Sequence, residues 1–185
     1  MNFIKTILIL APATFLLQYS FNTPNNQDGY VCLPCGRDCD KTVLSLPGTC
    51  SDCHMELVKK STVKFSSISP SVLYQHILKA GKSNVVLLDV RTPEEFNGTA
   101  PEKFGRLKNA INIPVQQLKE RIKELDAYKN KEIIVYCSHS HRSPAASYLL
   151  SQNGFKHVTN MEHGMHMWKD LVTDKASNDA LYVSQ

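Results

Sequence analysis

The distribution of apolar residues along the chain predicts strands that alternate with helices between residues 69 and 154. Three short apolar segments are typical of strands, at 85–88, 110–114 and 133–136, and the first and last are continuous enough to be buried on both faces. Apolar residues at helical spacing follow two of these strands, at 115–125 and 143–151. Strands alternating with helices are characteristic of an α/β protein whose parallel sheet is covered by helices on both faces.

Capping residues indicate where two of the helices begin. Ser69 before Pro70 predicts a helix start, and Gly81 predicts the end of that helix. The apolar positions expected to share one face of this helix are Val72, Leu73, Ile77 and Leu78. Thr92, followed by Pro93 and two glutamates, predicts a second helix directly after the first strand.

The first 20 residues have a different pattern. Lys5 is followed by an uncharged stretch whose apolar part, residues 7–17, is shorter than the ~20 residues that a membrane-spanning helix needs. This arrangement predicts a secretory signal peptide. Gln18 fits poorly in a cleavage site after Ser20, so an uncleaved membrane anchor is the alternative. In both cases the rest of the chain, beginning with a polar linker at residues 21–29, is expected outside the cytoplasm, either periplasmic or secreted.

The charge pattern argues against a nucleic-acid partner. The 185 residues carry a net charge of +4, and basic residues are interspersed with acidic ones, as in Lys119-Glu120-Arg121. Interspersed charges of both signs are typical of solvated helix faces. Hydrophobic residues make up 42% of the chain, which is enough to bury a core and excludes a wholly disordered protein.

Five of the six cysteines lie between Cys32 and Cys53. Two CxxC pairs, Cys32 with Cys35 and Cys50 with Cys53, have the spacing of zinc ribbons, in which two turns bring four thiolates to one tetrahedral metal. Residues 30–60 are too few to build a sufficient apolar core, so a metal or disulfides must supply the folding energy. We therefore predict a small zinc-ribbon-like module with Zn(II) or Cu(I) at these four cysteines. In an oxidising compartment the alternative is two disulfides and no metal.

Three short motifs in this segment match a known pattern: Tyr30-Val-Cys32, Pro47-Gly48-x-Cys50-x2-Cys53 and Met55-x-Leu57. Through them residues 30–58 resemble the heavy-metal-binding domain found beside bacterial copper and heavy-metal transport proteins. Two positions depart from that pattern, because Cys35 stands where the family usually has His and His54 where it usually has Gly. With the additional thiol of Cys39, these departures make the segment richer in sulfur and favour zinc or a soft ion such as Cu(I).

The sixth cysteine, Cys137, directly follows the predicted strand 133–136. Ligands bind at the carboxyl ends of strands in parallel sheets. Backbone N–H groups of the loop 137–142 and of the following helix would stabilise a thiolate there, and Arg142 adds a positive charge with a bidentate fork. The pattern predicts attack by the Cys137 thiolate on a dianionic substrate. The alternative is a buried structural cysteine at a strand end.

Four segments carry a second and broader resemblance: 87–96 (LLDVRTPEEF), 105–114 (GRLKNAINIP), 133–143 (IIVYC through Arg142 and Ser143) and 154–168 (GFKHVTNMEHGMHMW). Their order and content resemble the rhodanese family of sulfurtransferases over about residues 67–170, within a domain that we expect at residues 61–175, with a tail at 176–185. The resemblance implies that Cys137 carries sulfur as a persulfide, that Arg142 is catalytic, and that no organic cofactor is needed. The substrate-binding residues that it implies are Ser138, His139, Ser140, His141, Ser143, Asp89 and Arg91, the last two organising the neighbouring strand end.

The function expected from these observations is sulfur transfer from a small sulfur-containing anion, such as thiosulfate, to a thiol or a protein cysteine. Related phosphatases on this fold have five residues between Cys and Arg, whereas this chain has four, which argues against phosphatase activity. A second hypothesis is a metal-handling or metal-sensing protein without turnover, which would use the cysteine module and four histidines: His139, His141, His163 and His166. The alternative interpretation is that these histidines are exposed polar side chains with no role in metal binding. A third hypothesis is a redox switch in which Cys39 forms a disulfide with Cys137.

Overall fold

The computed structural model describes residues 28–185. The predicted signal peptide and linker residues 21–27 therefore lie outside the described residues. Within the described part of the chain, no helix is both long and apolar enough to cross a membrane.

Residues 28–62 form a small module around a three-stranded antiparallel sheet. β1 (Tyr30–Val31) lies between β2 (Val43–Leu44) and β3 (Val58–Lys59). One 3₁₀ turn, Asp38–Lys41, connects β1 to β2, and a second, Lys60–Thr62, follows β3. The core of this module consists mainly of cysteine side chains with Leu57. The apolar surface that this core buries is too small to stabilise a fold of this size by itself.

The rest of the chain forms an α/β domain. Its strands are β4 (Ser66–Ile68), β5 (Val85–Asp89), β6 (Arg106–Leu107), β7 (Ile111–Asn112), β8 (Glu132–Tyr136), β9 (His157–Met161) and β10 (Tyr182–Val183). Five of them form a parallel sheet in the order β4-β9-β8-β5-β7, and β6 pairs antiparallel with β10. The three predicted strands are confirmed as β5, β7 and β8. β4 and β9 are not predicted, because their polar side chains interrupt the apolar pattern by which a strand is recognised.

Six α-helices accompany the sheet: α1 (Pro70–Ala80), α2 (Pro93–Asn97), α3 (Val115–Arg121), α4 (Arg142–Gln152), α5 (Trp168–Leu171) and α6 (Lys175–Leu181). Ile122–Tyr128 continues α3 as a 3₁₀ helix, so the predicted helix 115–125 changes its winding near its middle. Two further 3₁₀ turns of this domain lie at Lys82–Asn84 and Met165–Met167. The predicted caps Ser69 and Thr92 both accept hydrogen bonds from the first turns of their helices.

The core lies on both faces of the parallel sheet, because successive side chains of a strand point to opposite sides. In β5 and β8, Leu88, Ile133 and Val135 pack with α3 and α4 residues such as Leu118 and Leu150. The alternate positions Leu87, Ile134 and Tyr136 pack with Leu73 of α1 and Trp168 of α5. The predicted α/β class, with helices covering both faces, is confirmed.

The apolar face of α1 is narrower than the sequence pattern predicts. Leu73 and Ile77 are buried, whereas Val72 and Leu78 are 51% and 44% exposed. Helical residues are separated by about 100°, so Val72 and Leu78 lie about 120° to either side of the stripe centred between Leu73 and Ile77. The expectation that all four residues share a buried face is therefore wrong for Val72 and Leu78.

The C-terminal residues are integrated into the domain, although their sequence indicates a tail from residue 176 onward. Tyr182 of β10 stacks on the buried Trp168 with ring centroids 5.8 Å apart and planes inclined by 10°. The indole N–H of Trp168 donates to Asn178 Oδ1 in α6 at 2.9 Å. An isolated Leu-Tyr-Val segment among polar residues carries too little pattern for this packing to be predicted.

Candidate active site

Cys137 lies at the carboxyl end of the central strand β8, at the start of a loop that comprises residues 137–142 and is called the Cys137 loop below. The cysteine is fully buried, and its Sγ donates to Ser143 Oγ in the first turn of α4 at 3.4 Å. If the thiol ionises, the same hydroxyl can donate to the sulfur instead. Helix α4 has eleven residues, and its N-terminal N–H groups and dipole favour negative charge at this end of the loop.

The backbone of the Cys137 loop is held from the segment that follows β9. Met165 N–H donates to the Cys137 carbonyl at 2.9 Å, and His166 N–H donates to the Ser138 carbonyl at 3.0 Å. Gly164 permits this approach, because a Cβ on it would lie 2.3 Å from the Ser138 carbonyl oxygen and its φ is +73°. Ser140, buried inside the loop, also has a left-handed backbone, with φ +58°.

Arg142 binds a carboxylate that the sequence reasoning missed. Its Nη1 donates to Glu95 Oε2 at 2.6 Å, and its Nη2 donates to Glu95 Oε1 at 2.7 Å. Ser138 Oγ donates to Glu95 Oε1 at 2.7 Å, so Glu95 ties both ends of the loop to α2. These bonds, Arg142 first, hold the pKa of Glu95 at about 2. The fork of Arg142 thus closes the loop and is matched by a negative charge.

Glu95 also caps its own helix. Its side chain accepts the Thr92 N–H while Thr92 Oγ1 accepts the Glu95 N–H, which is a capping box. The sequence signal is the Thr-Pro-Glu-Glu run, which predicts the cap but not the partner 47 residues away.

Asp89 and Arg91 form a fully buried ion pair at the carboxyl end of β5. Arg91 Nε and Nη2 donate to both carboxylate oxygens, and Nη2 also donates to the Gly105 carbonyl at 2.9 Å. The Asn112 side chain donates to the Asp89 and Arg91 carbonyls, which joins β7 to the same strand end. Their side chains bind each other and the backbone, which gives both residues a positioning role at this strand end; their contact with substrate stays a prediction.

The four histidines do not gather at one point. The rings of His139 and His166 lie together with centroids 4.5 Å apart, and the rings of Phe104 and His139 form a T-shaped pair with centroids 5.2 Å apart. His141 instead lines a cleft beside Leu33 of the cysteine module, and His163 faces Gly36. In residues 28–185 the histidines do not belong to any group of three ligands close enough for one metal ion. Burial lowers the pKa of both His139 and His141. The neighbouring His166 lowers the pKa of His139 further, and Arg37 does the same for His141.

The cysteine module brings together a different set of thiols from the one that spacing predicts. The sulfurs of Cys32, Cys39, Cys50 and Cys53 lie within 4.8 Å of one another, and all six cysteines of the chain are free thiols. Cys39 thus occupies the place expected for Cys35. The N–H groups of Cys53 and Asp52, together with the Cys32 thiol, lower the pKa of Cys50 to about 7, the Cys53 N–H contributing most.

Cys35 is held apart from this cluster by Asp40. Asp40 accepts the Cys35 and Gly36 N–H groups at 2.8 and 2.7 Å and the Cys35 thiol at 3.2 Å. The spacing of the cysteines cannot predict that Cys39 joins the cluster in place of Cys35, because this exchange depends on the 3₁₀ turn that places Cys39 inside the module.

Comparison with known proteins identifies the family of this chain. The family model "Rhodanese-like domain" matches residues 69–171. The protein YqhL of Bacillus subtilis is 35% identical over 103 residues, which cover 56% of this chain and 75% of that protein. The thiosulfate sulfurtransferase PspE of Escherichia coli is 37% identical over 73 residues, covering 40% of this chain and 64% of PspE. The tRNA uridine(34) hydroxylase of Wigglesworthia glossinidia brevipalpis is 36% identical over 88 residues, but the match spans 45% of this chain and 26% of the hydroxylase.

Proposed function

Because the chain belongs to the rhodanese-like domain family, we propose that it is a sulfurtransferase that carries sulfane sulfur on Cys137. The observation that supports this proposal best is the position of Cys137, buried at the end of the central strand under a loop that leads into the N-terminus of α4. A buried thiol with a hydroxyl partner and helix N–H groups nearby suits a sulfur that carries negative charge in both its resting and its loaded form.

The reaction proceeds through two displacements at sulfur. The Cys137 thiolate attacks the sulfane sulfur of a donor such as thiosulfate, a new S–S bond forms, and the old S–S bond breaks with its electron pair leaving on sulfite. An acceptor thiolate or cyanide then attacks the outer sulfur of the persulfide, and the Cys137 thiolate leaves with the electron pair. No net charge or electron is lost in either step, and one covalent intermediate connects them.

The site determines how the persulfide is held. The Ser143 hydroxyl lies within reach of Sγ, and Met165 and His166 N–H groups hold the carbonyls of Cys137 and Ser138, which fixes the loop backbone next to the sulfur. Since Glu95 neutralises Arg142, the charge that attracts an anionic donor comes from the α4 terminus and from any protonated loop histidine.

We also propose that the protein works outside the cytoplasm. The support is the Lys5-led apolar segment at residues 1–20, which is typical of a signal peptide or anchor. Fractionation of cells that express the full chain, with N-terminal sequencing of the product, tests this part: a cytoplasmic protein with an intact N-terminus would refute it.

The cysteine module supports a second function, the handling of a thiophilic ion such as Zn(II) or Cu(I). Four clustered sulfurs are the observation that favours it. Sulfur transfer that persists after a chelator has removed all metal would show that turnover does not need the ion, and a protein that holds metal but never transfers sulfur would leave only the second function.

The proposed activity is tested by a thiosulfate–cyanide assay on the wild type and on Cys137→Ser, beside a phosphate-ester assay. We expect thiocyanate formation that the substitution abolishes and no phosphate release, because a serine hydroxyl cannot hold a persulfide. Activity that survives in Cys137→Ser refutes the assignment of Cys137.

A further inference from the structure

The four clustered sulfurs have the dimensions of one tetrahedral metal site. Zinc–sulfur bonds of about 2.3 Å place neighbouring sulfurs of a tetrahedron about 3.8 Å apart. The sulfurs of Cys32, Cys39, Cys50 and Cys53 all lie within 4.8 Å of one another, with Cys32 and Cys53 at 3.2 Å. Their approach therefore needs only a small adjustment to enclose a single ion, and three of the four cysteines are buried.

The module also needs such a ligand for its stability. Its core cluster consists of four cysteines and Leu57, packed with Tyr30, Cys53 and Met55, and within residues 28–62 only Val31 and Leu33 add further buried apolar side chains. An apolar core of this size cannot offset the conformational entropy of about thirty ordered residues, whereas metal binding to thiolates contributes folding free energy directly.

Cys35 is distinguished from the four ligands by its own hydrogen bonds. Asp40 accepts two backbone N–H groups and the thiol of Cys35, and this arrangement shapes the turn that brings Cys39 to the cluster. Cys35 and Asp40 lie close enough to Cys39 to form a second group, but that group has two sulfurs and shares Cys39 with the first. Because zinc prefers four thiolates to a mixed three-ligand set here, the first group is the stronger site.

The segment between two of these ligands contacts the active site. Residues 33–38, called the 33–38 loop, connect Cys32 to Cys39. The Pro34 carbonyl accepts the side-chain amide of Asn160 at 3.0 Å, and the same amide lies 3.5 Å from Ser140 Oγ in the Cys137 loop. Gly36 packs so closely on His163 that a Cβ there would lie 3.0 Å from the ring.

We propose that Cys32, Cys39, Cys50 and Cys53 bind one thiophilic ion, Zn(II) by its preference for four thiolates, and that this ion fixes the 33–38 loop against the Cys137 loop. Both ends of the 33–38 loop are then anchored at the same ion. Asn160, fully buried at the end of β9, transmits the position of Pro34 to Ser140. The metal site stands independently of sulfur transfer, and its meaning for catalysis rests on the proposed function.

The ligand set is tested with the full chain under reducing conditions. Zn(II) is added, the excess is removed, and bound zinc is measured for the wild type, Cys39→Ser and the matched control Cys35→Ser. Serine at position 35 can still donate to Asp40, so we expect about one zinc per chain in the wild type and in Cys35→Ser. In Cys39→Ser we expect zinc affinity at least tenfold lower.

Unfolding of the module in Cys39→Ser would also release zinc. The assignment of the four ligands is therefore decided by the zinc content of Cys35→Ser. Cobalt(II) in place of zinc reports the number of thiolate ligands by its absorption, and Cys35→Ser should match the wild type. Loss of zinc or of thiolate absorption in Cys35→Ser overturns the ligand set. A wild type that binds no zinc, with its cysteines joined in disulfides by intact mass, overturns the metal site.

The contact with the active site is tested by hydrogen exchange of the full chain with and without Zn(II). We expect the amides of residues 137–143 to exchange several-fold more slowly with zinc, while a control peptide covering 115–125 is unchanged. Equal exchange of the Cys137 loop in both states overturns the coupling. Because the readout is exchange and not turnover, it is independent of whether sulfur transfer occurs.

Discussion

Replacement of Glu95 by Gln tests the ion pair that closes the Cys137 loop. The carboxylate accepts both guanidinium branches of Arg142 and the Ser138 hydroxyl, and the pKa of Glu95 falls from 4.5 to about 2. A change of this size corresponds to roughly 3 kcal/mol at 1.36 kcal/mol per pKa unit. The Glu95 side chain is 19% exposed and that of Arg142 is 28% exposed, so solvent screening reduces the contribution to about 1–2 kcal/mol.

The pH dependence of this effect has a definite sign. Folding lowers the pKa of Glu95, so the ion pair stabilises fully above pH 4.5, and the stabilisation is lost as the pH falls toward 2. We expect Glu95→Gln to lower the free energy of unfolding by about 1–2 kcal/mol at pH 7. The difference in unfolding free energy between variant and wild type should become smaller below pH 4.5.

Urea denaturation followed by the fluorescence of Trp168, the one tryptophan of the chain, measures this free energy. Glu94→Gln is the matched control, since Glu94 is the neighbouring carboxylate in the same helical turn and is exposed. Equal stability of Glu95→Gln and wild type at pH 7, or a gap that persists unchanged to acid pH, would refute the reasoning.

Two further predictions concern the loop and its histidines. Gly164→Ala should destabilise the protein by about 1–3 kcal/mol more than Gly154→Ala and should slow sulfur transfer. Both glycines have positive φ, but only at position 164 would the added Cβ collide with a backbone carbonyl. Urea denaturation and initial rates measure the two effects, and equal stability and rates of the two variants would contradict the prediction. Burial lowers the pKa of His139 and of His141 from the usual 6.5, so thiosulfate KM should fall only as the pH drops below 6.5. His139→Asn should flatten that fall while the distant His157→Asn does not, and coincident KM profiles of all three proteins would show that the ring of His139 plays no part.

The strand–helix alternation and the location of the site were predictable from local patterns. Apolar runs identify β5 and β8, and the position of Cys137 directly after β8 places it at the functional edge of a parallel sheet. The capping box at Thr92 is equally local.

What sequence reasoning missed depends on contacts between distant segments. Glu95 and Arg142 meet only because β5 and β8 are neighbours, which brings the start of α2 to the Cys137 loop. Cys39 displaces Cys35 through the geometry of a 3₁₀ turn around Asp40, whereas spacing describes only the CxxC pairs. Both cases require three-dimensional distances that no periodicity encodes.

The central claim is that Cys137 carries the transferred sulfur, and intact-mass analysis after incubation with thiosulfate tests it most directly. The wild type should gain the mass of one sulfur atom, peptide mapping should place it on Cys137, and cyanide should remove it. Cys137→Ser, whose five other cysteines remain, should gain nothing. Sulfur that accumulates equally in Cys137→Ser, or an unmodified wild type, would contradict the account.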